Sequence, residues 1–160
     1  MIAVSNTTPI LSLYKIGMIG LLQDIFGQVF VPTVVYDEIA VLGKGKQGYD
    51  VLDRVDYIHV KKIQNSLAVN LLKSQLDYGE AEAIVLAGEL GADVLFLDEK
   101  KARKVAQANS QRVIGTIGIL QVAKEKGLIS GMRSALDDLI VNGIWVDRRL
   151  YQSVLETNGE

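Results

Sequence analysis

Short apolar runs alternate with longer segments of helical period along most of the chain, and this alternation restricts the fold more than any other feature. The apolar runs predict strands near residues 2–5, 28–31, 57–60, 94–97 and 112–114. The segments of helical period predict helices near residues 9–16, 18–26, 32–42, 66–74, 78–90, 99–109, 116–126, 133–141 and 147–156. Strands separated by helices are typical of a mostly parallel sheet with helices on its faces. We therefore expect an α/β protein with a central sheet of about five strands.

The chain is expected to form one domain over residues 1–156, followed by a short tail at 157–160. Only two Pro residues and no low-complexity run occur in its 160 residues, so no linker is indicated. No apolar stretch approaches the roughly 18 residues of a membrane span, and the first residues carry no basic targeting run. We expect a cytoplasmic protein that has no contact with membranes.

The residue inventory limits the possible chemistry. The chain has no Cys and one His, which excludes disulfides, Cys-based zinc sites, thiol nucleophiles and multi-His metal sites. With 17 Lys+Arg against 19 Asp+Glu, the chain has no overall attraction to nucleic acid, so RNA or DNA binding would need a local basic patch. Any catalysis must use carboxylates, hydroxyls or Lys.

A G-x-G-x-x-G pattern at Gly43, Gly45 and Gly48 has the wrong context for a dinucleotide site. It follows a predicted helix rather than a strand, and no acid stands about 20 residues after it. Residues 42–50 are instead predicted to form a flexible loop.

One acid lies inside a predicted apolar face. Within the predicted helix 32–42, Glu38 falls on the apolar face and Asp37 points away from it. The neighbours of Glu38 on that face are Val34, Val35, Ile39 and Leu42. A carboxylate taken out of water costs several kcal/mol unless it is paired, hydrogen-bonded or bound to a cation. An inward Glu38 is therefore either one half of a buried salt bridge or a candidate cation ligand.

The predicted helix 78–90 is apolar almost all round and carries two further acids, Glu80 and Glu82. The two side chains are about 200° apart around the helix, so at most one of them is expected to face a given point. Glu80 has an alternative role, because with Asp77 it has the spacing of a capping box. For Glu82 we favour a position on the more solvated side of the helix.

Asn6 and Asp98 each follow a predicted strand. If the two strands are parallel neighbours, both side chains project from the same carboxyl edge, where ligand sites of open α/β sheets lie. Asp98 has the alternative role of N-cap for a helix that begins at Glu99. The basic residues that follow form either a phosphate-binding rim beside the acids or a solvated helix face, and they include Lys100, Lys101 and Arg103.

Several acids that converge without His or Cys suit hard divalent cations such as Mg²⁺ or Mn²⁺. Two such cations can activate water and stabilise the leaving oxygen in phosphodiester hydrolysis. A phosphatase that forms a phospho-aspartate is not expected, because Asn6 stands where its nucleophile would follow the first strand. The residues alone thus indicate a site in which carboxylates hold cations.

Five sequence blocks carry a resemblance to a known family: VSNTTPILSLYKIG, FVPTVVYDEI, LDYGEAEAIVLAGELGADVLFLDEKKARKVA, VIGTIGILQVAKEKGLI and NGIWVDRRLYQSVL. Together they resemble PIN-domain-like proteins, in a branch common in bacteria and archaea, and they cover about residues 1–156. The resemblance implies a three-layer α/β/α fold with a central, mostly parallel sheet. It also implies a metal-dependent nuclease with three or four acids around Mg²⁺ or Mn²⁺.

By this resemblance the metal ligands fall on four positions: Asn6, Glu38, Glu80 (with Glu82 as the alternative) and Asp98. A hydroxyl that follows the first ligand falls on Thr7 or Thr8. The chain departs from the family pattern at Asn6, where a typical nuclease of this superfamily has Asp. An amide oxygen can bind a hard cation, but it brings no negative charge and cannot act as a base, so metal affinity should be weaker.

Two hypotheses follow. The first is a Mg²⁺- or Mn²⁺-dependent ribonuclease, the toxin-like member of a toxin–antitoxin pair, whose catalytic centre is formed by the four ligand positions. Its substrate phosphates would meet Thr7, Thr8, Lys100, Lys101 and Arg103. The second is a noncatalytic PIN-like module that binds RNA or a small protein partner. The resemblance further implies a homodimer and, for a toxin, a small antitoxin-like protein as partner.

Overall fold

A computed structural model describes all 160 residues and contains one five-stranded sheet. Its strands are β1 (Ile2–Ser5), β2 (Gln28–Pro32), β3 (Ile58–Lys61), β4 (Val94–Phe96) and β5 (Val113–Ile114). The strand order is β3-β2-β1-β4-β5, and every neighbouring pair is parallel. The five predicted strands are all present within one or two residues of the predicted ends, which confirms the expected α/β class.

Ten helices surround the sheet. They are α1 (Thr7–Lys15), α2 (Leu21–Phe26), α3 (Thr33–Tyr36), α4 (Val51–Arg54), α5 (Ser66–Leu72), α6 (Tyr78–Leu90), α7 (Lys100–Ala108), α8 (Thr116–Glu125), α9 (Met132–Val141) and α10 (Arg148–Thr157). The sequence did not predict α4, because a helix of four residues is too short to show a helical period. The longest helix, α6, has 13 residues, and none of the ten could cross a lipid bilayer.

The helices form two layers, one on each face of the sheet, because side chains alternate along every strand. Ala3, Val94 and Phe96 point into the larger core cluster, which also contains buried residues of α1, α2, α8 and α9. The next residues along the strands, Val4 and Leu95, point into a second cluster with α6 and α7. The molecule is therefore the three-layer α/β/α sandwich that the sequence predicts.

Helix α6 is enclosed, as its apolar sequence predicts, since every residue from Gly79 to Ala87 is buried. It begins with the predicted capping box: the Glu80 N–H donates to Asp77 Oδ1 (2.8 Å), and the Asp77 N–H donates to Glu80 Oε1 (3.1 Å). The helix packs against β1, β2 and β4. These contacts hold the first turn of α6 against the residues that follow β1.

The predicted helix 32–42 differs in two ways from the structure. Pro32 is the last residue of β2 rather than the first of the helix, and α3 continues into a π-helical turn over Asp37–Val41. In this turn the Leu42 N–H donates to the carbonyl oxygen of Asp37 (2.8 Å). A π turn holds one extra residue, which rotates the side chains that follow. Leu42, predicted on the apolar face, is consequently 74% exposed.

Glu160 lies in the predicted tail, and its side chain contacts the first turn of α9. Its two carboxylate oxygens accept hydrogen bonds from the backbone N–H groups of Met132 (2.7 Å) and Arg133 (3.1 Å). These two bonds lower the pKa of Glu160, and nearby Lys124 lowers it further. The side chain thus satisfies two free N–H groups at the start of α9.

Candidate metal centre

Asn6 joins β1 to α1 at the carboxyl edge of the sheet. Its N–H donates to the carbonyl oxygen of Phe96 (3.2 Å), which fixes the residue between β1 and β4. The side chain is 7% exposed, and its Oδ1 is buried without a hydrogen-bond donor. A buried polar atom without a partner costs about 1–3 kcal/mol, so such atoms are rare unless a ligand satisfies them.

Glu38 meets Asn6 over the first turn of α6. A Cβ placed on Gly79 would lie 2.8 and 3.0 Å from the two carboxylate oxygens of Glu38, and 3.0 Å from Asn6 Oδ1. Glu38 points inward as predicted, whereas Asp37 is exposed. Three acceptor oxygens therefore approach one point, and the absence of a side chain at Gly79 leaves that point open.

The buried salt bridge considered for Glu38 is absent. The ion pairs in the structure are Asp50–Arg54 and Lys124–Glu160, and neither involves this carboxylate. Instead the Thr7 hydroxyl donates to Glu38 Oε2. Of the two candidate hydroxyls, Thr7 is thus the one that contacts the acid, while Thr8 is exposed.

A π turn carries Glu38. π-Helical turns inside α-helices are uncommon and are frequent at functional sites, because the extra residue redirects a side chain. Glu38 is the second residue of the turn Asp37–Val41. The turn gives no distinct signal in the hydrophobic pattern, so the sequence could place Glu38 on the inner face but could not predict the irregular backbone that carries it.

Glu80 and Glu82 are both 6% exposed, so the position on the more solvated side predicted for Glu82 is wrong. The Val34 N–H at the start of α3 donates to Glu82 Oε1 (3.2 Å). Burial raises the pKa of both carboxyls, and the charge of Glu38 raises each pKa further; one backbone hydrogen bond to each partly offsets the shift. The negative charge of Glu38 therefore acts on both buried acids.

Asp98 lies at the same sheet edge as Asn6, because β1 and β4 are parallel neighbours. It does not cap the helix that follows, since the N-cap position is Glu99 and α7 begins at Lys100. Its two oxygens instead accept hydrogen bonds from the N–H and the hydroxyl of Thr116, both at 2.7 Å. The sequence could not reveal this bond to the start of α8, because 18 residues separate the partners.

A cleft of about 600 Å³ opens beside Asp98. Arg103 lines it, whereas Lys100 and Lys101 are exposed outside it. A Cβ on Gly115 would lie 2.9 Å from Asp98 Oδ1 and 3.0 Å from an Arg103 guanidinium nitrogen, so this glycine lets both groups approach. Two lining residues, Lys15 and Trp145, were not singled out from the sequence, because nothing local connects them to the acids.

The donor set fits a weak site for a hard cation. No three His, Asp or Glu side chains lie together in an arrangement that would hold a metal ion. The closest convergence pairs the Glu38 carboxylate with the unpartnered Asn6 amide oxygen. Glu80 and Glu82 feel the charge of Glu38, and Asp98 lies at the same sheet edge as Asn6. All of these donors are oxygens, which favours Mg²⁺ or Mn²⁺ over softer metals.

Removing the buried charge of Glu82 is expected to stabilise the metal-free protein at pH 7. Because the folded-state pKa of Glu82 is raised, the folded chain holds the proton to a higher pH than the unfolded chain, and stability falls as pH rises between the two pKa values. Gln at this position keeps an acceptor for the Val34 N–H but carries no charge. Thermal unfolding in EDTA should give Glu82→Gln a higher Tm than wild type at pH 7 and an equal one near pH 4.

The exposed Glu156 provides the control for this comparison, since Glu156→Gln removes a charge without removing a buried one. Its Tm should follow that of wild type at both pH values. A lower Tm of Glu82→Gln at pH 7 would show that the carboxylate is stabilised by its surroundings, which contradicts the expected effect of burial.

The strand order and the two helical layers define the class of the protein, which is a three-layer α/β/α domain with an open parallel sheet and polar side chains at its carboxyl edge. Residues 2–160 match the DUF3368 family, described as a PIN domain, and the chain belongs to this family. This confirms the resemblance seen in the sequence.

One solved structure with the same fold is a PilT N-terminus domain protein from the hyperthermophilic archaeon Sulfolobus solfataricus P2. The two share 21% sequence identity with a TM-score of 0.53, over 77% of this chain and 93% of the other. At this identity the likeness supports the fold alone. No curated protein matches the chain.

Proposed function

We propose that this PIN domain is a ribonuclease that depends on Mg²⁺ or Mn²⁺ and binds its cation weakly. The observation that carries the proposal is the convergence of the unpartnered Asn6 Oδ1 and the Glu38 carboxylate over Gly79. Asn6 Oδ1 has no donor and Glu38 has only the Thr7 hydroxyl, and acceptor oxygens that converge in this way are stabilised by a cation. Membership in a PIN family supports nucleic acid as the substrate.

Asn6 and Glu38 would hold the cation, and Glu80, Glu82 and Asp98 would complete its surroundings. A divalent cation there would supply the positive charge that phosphodiester hydrolysis needs. Thr7 orients the carboxylate of Glu38, and Thr116 orients that of Asp98. Arg103, which lines the adjacent cleft, is placed to bind a substrate phosphate.

Glu80 is the residue best suited to exchange a proton. Its Oε1 accepts the capping bond from Asp77, whereas its Oε2 makes no hydrogen bond within the chain. Burial raises the pKa of this carboxyl, which favours its protonated form. Gln at this position keeps the capping bond and removes the proton exchange.

Gly79→Ala tests the proposed centre directly. The new methyl group would lie within 3.0 Å of Asn6 Oδ1 and of both Glu38 oxygens, so it would occupy the point on which they converge. Alanine is favoured over glycine in a helix by about 1 kcal/mol, so α6 should remain folded. We expect cleavage of a mixed single-stranded RNA panel in Mn²⁺ to fall by about 100-fold or more, the scale typical for losing one stabilising group of an active site.

Gly88→Ala is the matched control, because it makes the same change in the same helix. A Cβ at Gly88 would meet Gln111 Nε2 at 3.6 Å, an ordinary contact, and it lies two turns from the centre. This variant should cleave like wild type. Retained cleavage in Gly79→Ala would move the active site elsewhere, and a wild-type protein inactive in both Mn²⁺ and Mg²⁺ would contradict the ribonuclease itself.

A second candidate function is a noncatalytic module that binds RNA or a small protein partner. It is favoured by the neutral Asn6 and by the hydrogen bonds that all four neighbouring acids already make within the chain: Glu38, Glu80, Glu82 and Asp98. RNA binding without cleavage, together with a Tm that Mn²⁺ leaves unchanged, would favour this module. The toxin-like role, the antitoxin-like partner and the homodimer stay predictions from the family resemblance.

A further inference from the structure

We infer that the cleft beside Asp98 binds one unpaired nucleotide of an RNA strand, with its base stacked on Trp145 and the adjoining phosphates on Lys15 and Arg103. The inference rests on the proposed function, whose substrate class it makes specific. The cleft lies between α1, α8 and the connection from α9 to α10, and its volume of about 600 Å³ is in the usual range of small-ligand sites.

Trp145 is the aromatic residue that the core does not explain. Its side chain is 83% exposed, although tryptophan is usually mostly buried. Its neighbours Ile144 and Val146 pack against the larger core cluster, so these two side chains point inward and Trp145 between them points outward. The indole is thereby held over the cleft on a fixed backbone.

The connection that carries Trp145 is anchored at both ends. The Ile144 N–H donates to the carbonyl oxygen of Leu139 (3.0 Å), and the Asp147 side chain accepts from the Leu150 N–H (3.1 Å) at the start of α10. An aromatic platform on an ordered segment loses little conformational entropy when a ligand binds. The ordered connection therefore holds the Trp145 indole in a position where a base can stack on it.

The cleft combines two cations that form no ion pair with an apolar lining. Lys15 and Arg103 form no ion pair, whereas the lining acids Asp98 and Asp147 already accept hydrogen bonds from the chain. The lining is neutral overall, and its positive charge is local, at two side chains without an ion-pair partner that can each contact a phosphate. Between them lie apolar side chains that suit a base: Leu11, Ile117, Ile144 and Leu150.

The placement also connects the cleft to the proposed chemistry. Asp98 lies on the cleft wall and at the sheet edge that carries Asn6. An RNA strand bound in the cleft would therefore contact the wall that carries Asp98, next to the sheet edge of the proposed centre. An unpaired base offers a free face to an exposed indole, whereas a base pair inside a duplex has both faces covered by its neighbours.

The fluorescence of Trp145 provides the test, because it is the only tryptophan in the chain. Titration with single-stranded hexauridylate and hexaadenylate in EDTA, where no metal supports cleavage, should quench it in a saturable way. Binding should weaken with salt, as expected for phosphate contacts. A matched RNA duplex should produce no saturable quench.

Substitutions of single residues test which side chains contact the RNA. Arg103→Gln and Lys15→Gln should each weaken binding by about tenfold, whereas Lys104→Gln, next to Arg103 on the exposed face of α7, should leave it unchanged. With an end-labelled oligonucleotide read by anisotropy, Trp145→Leu should weaken binding about tenfold and Trp145→Tyr should restore most of it. Circular dichroism checks that each variant is folded.

The absence of a saturable quench with both oligonucleotides would overturn the inference, as would equal quenching by the duplex or unchanged binding of Arg103→Gln. These outcomes are separate from the failure of the proposed function, which is read by cleavage in Mn²⁺. Cleavage without binding at Trp145 would reject the nucleotide site alone. Binding in EDTA without cleavage in any metal would retain the site and reject the ribonuclease.

Discussion

Replacement of Glu38 by Gln is expected to lower Mn²⁺-dependent RNA cleavage by about 100-fold or more, whereas Asp37→Asn should change it less than about twofold. Glu38 is the carboxylate that shares the open point over Gly79 with the Asn6 amide oxygen. Gln has the same shape and still accepts the Thr7 hydroxyl bond, but it removes the negative charge. With Asn6 already neutral, the closest ligand pair would then carry no charge.

Asp37 is the matched control because it is adjacent in the same π turn and its side chain is exposed. Initial cleavage rates of both variants should be measured over a range of Mn²⁺ concentrations. If Glu38 binds the cation, high Mn²⁺ should recover part of the lost activity. Wild-type rates in Glu38→Gln, or an equal loss in Asp37→Asn, would show that position 38 is not a ligand.

The sheet and its functional edge could be predicted because their signals are local. Each strand is a short apolar run, and Asn6 and Asp98 directly follow two of them. Their proximity then required only that β1 and β4 be parallel neighbours, which the structure confirms. The capping box of α6 was equally readable, because its two residues are three positions apart.

The position of Glu82 could not be predicted, because helical geometry describes one helix and not what surrounds it. The angle of about 200° between Glu80 and Glu82 suggested that one of them faces water. In the structure α6 is covered on both sides, and the start of α3 supplies a backbone donor to Glu82. The apolar pattern correctly indicated that α6 is buried. The burial of Glu82, however, depended on a contact with Val34, which lies 48 residues away in the sequence.

The residues that line the cleft could not be predicted for the same reason. Lys15 ends α1, Arg103 lies on α7 and Trp145 lies between α9 and α10, so only the folded chain brings them to one cavity. The basic run after Asp98 indicates either a phosphate-binding rim or a solvated helix face, and in the structure its residues have different surroundings. Arg103 lines the cleft, whereas Lys100 and Lys101 are exposed.

The acids around Glu38 show how the neutral residue at position 6 affects stability. Burial raises the pKa of Glu80 and Glu82, and each of them also feels the charge of Glu38. A fourth carboxylate at position 6 would add repulsion to a group of charges that already favours protonation. We therefore expect Asn6 to make the metal-free protein more stable and the proposed metal site weaker, and both effects can be measured in one variant.

Asn6→Asp is expected to tighten Mn²⁺ binding by about tenfold or more, which corresponds to about 1.4 kcal/mol. The added charge would lie beside the Glu38 carboxylate, at a buried position where charges interact more strongly than in water. In EDTA the same change should lower the Tm, because the new carboxylate has no cation to offset its repulsion from Glu38. Addition of Mn²⁺ should reverse this order, with a larger rise in Tm for the variant than for wild type.

Cleavage in the same variant should rise by about tenfold or more at limiting Mn²⁺, since occupancy of the centre then limits the rate. Asn70→Asp is the matched control, because it adds the same charge on the exposed surface of α5 and should alter neither metal binding nor cleavage. Tighter binding without any cleavage would assign the chain to the noncatalytic module, with a centre whose metal affinity can be restored but whose chemistry cannot. A variant that binds Mn²⁺ no better than wild type would instead mean that Asn6 Oδ1 does not face the cation.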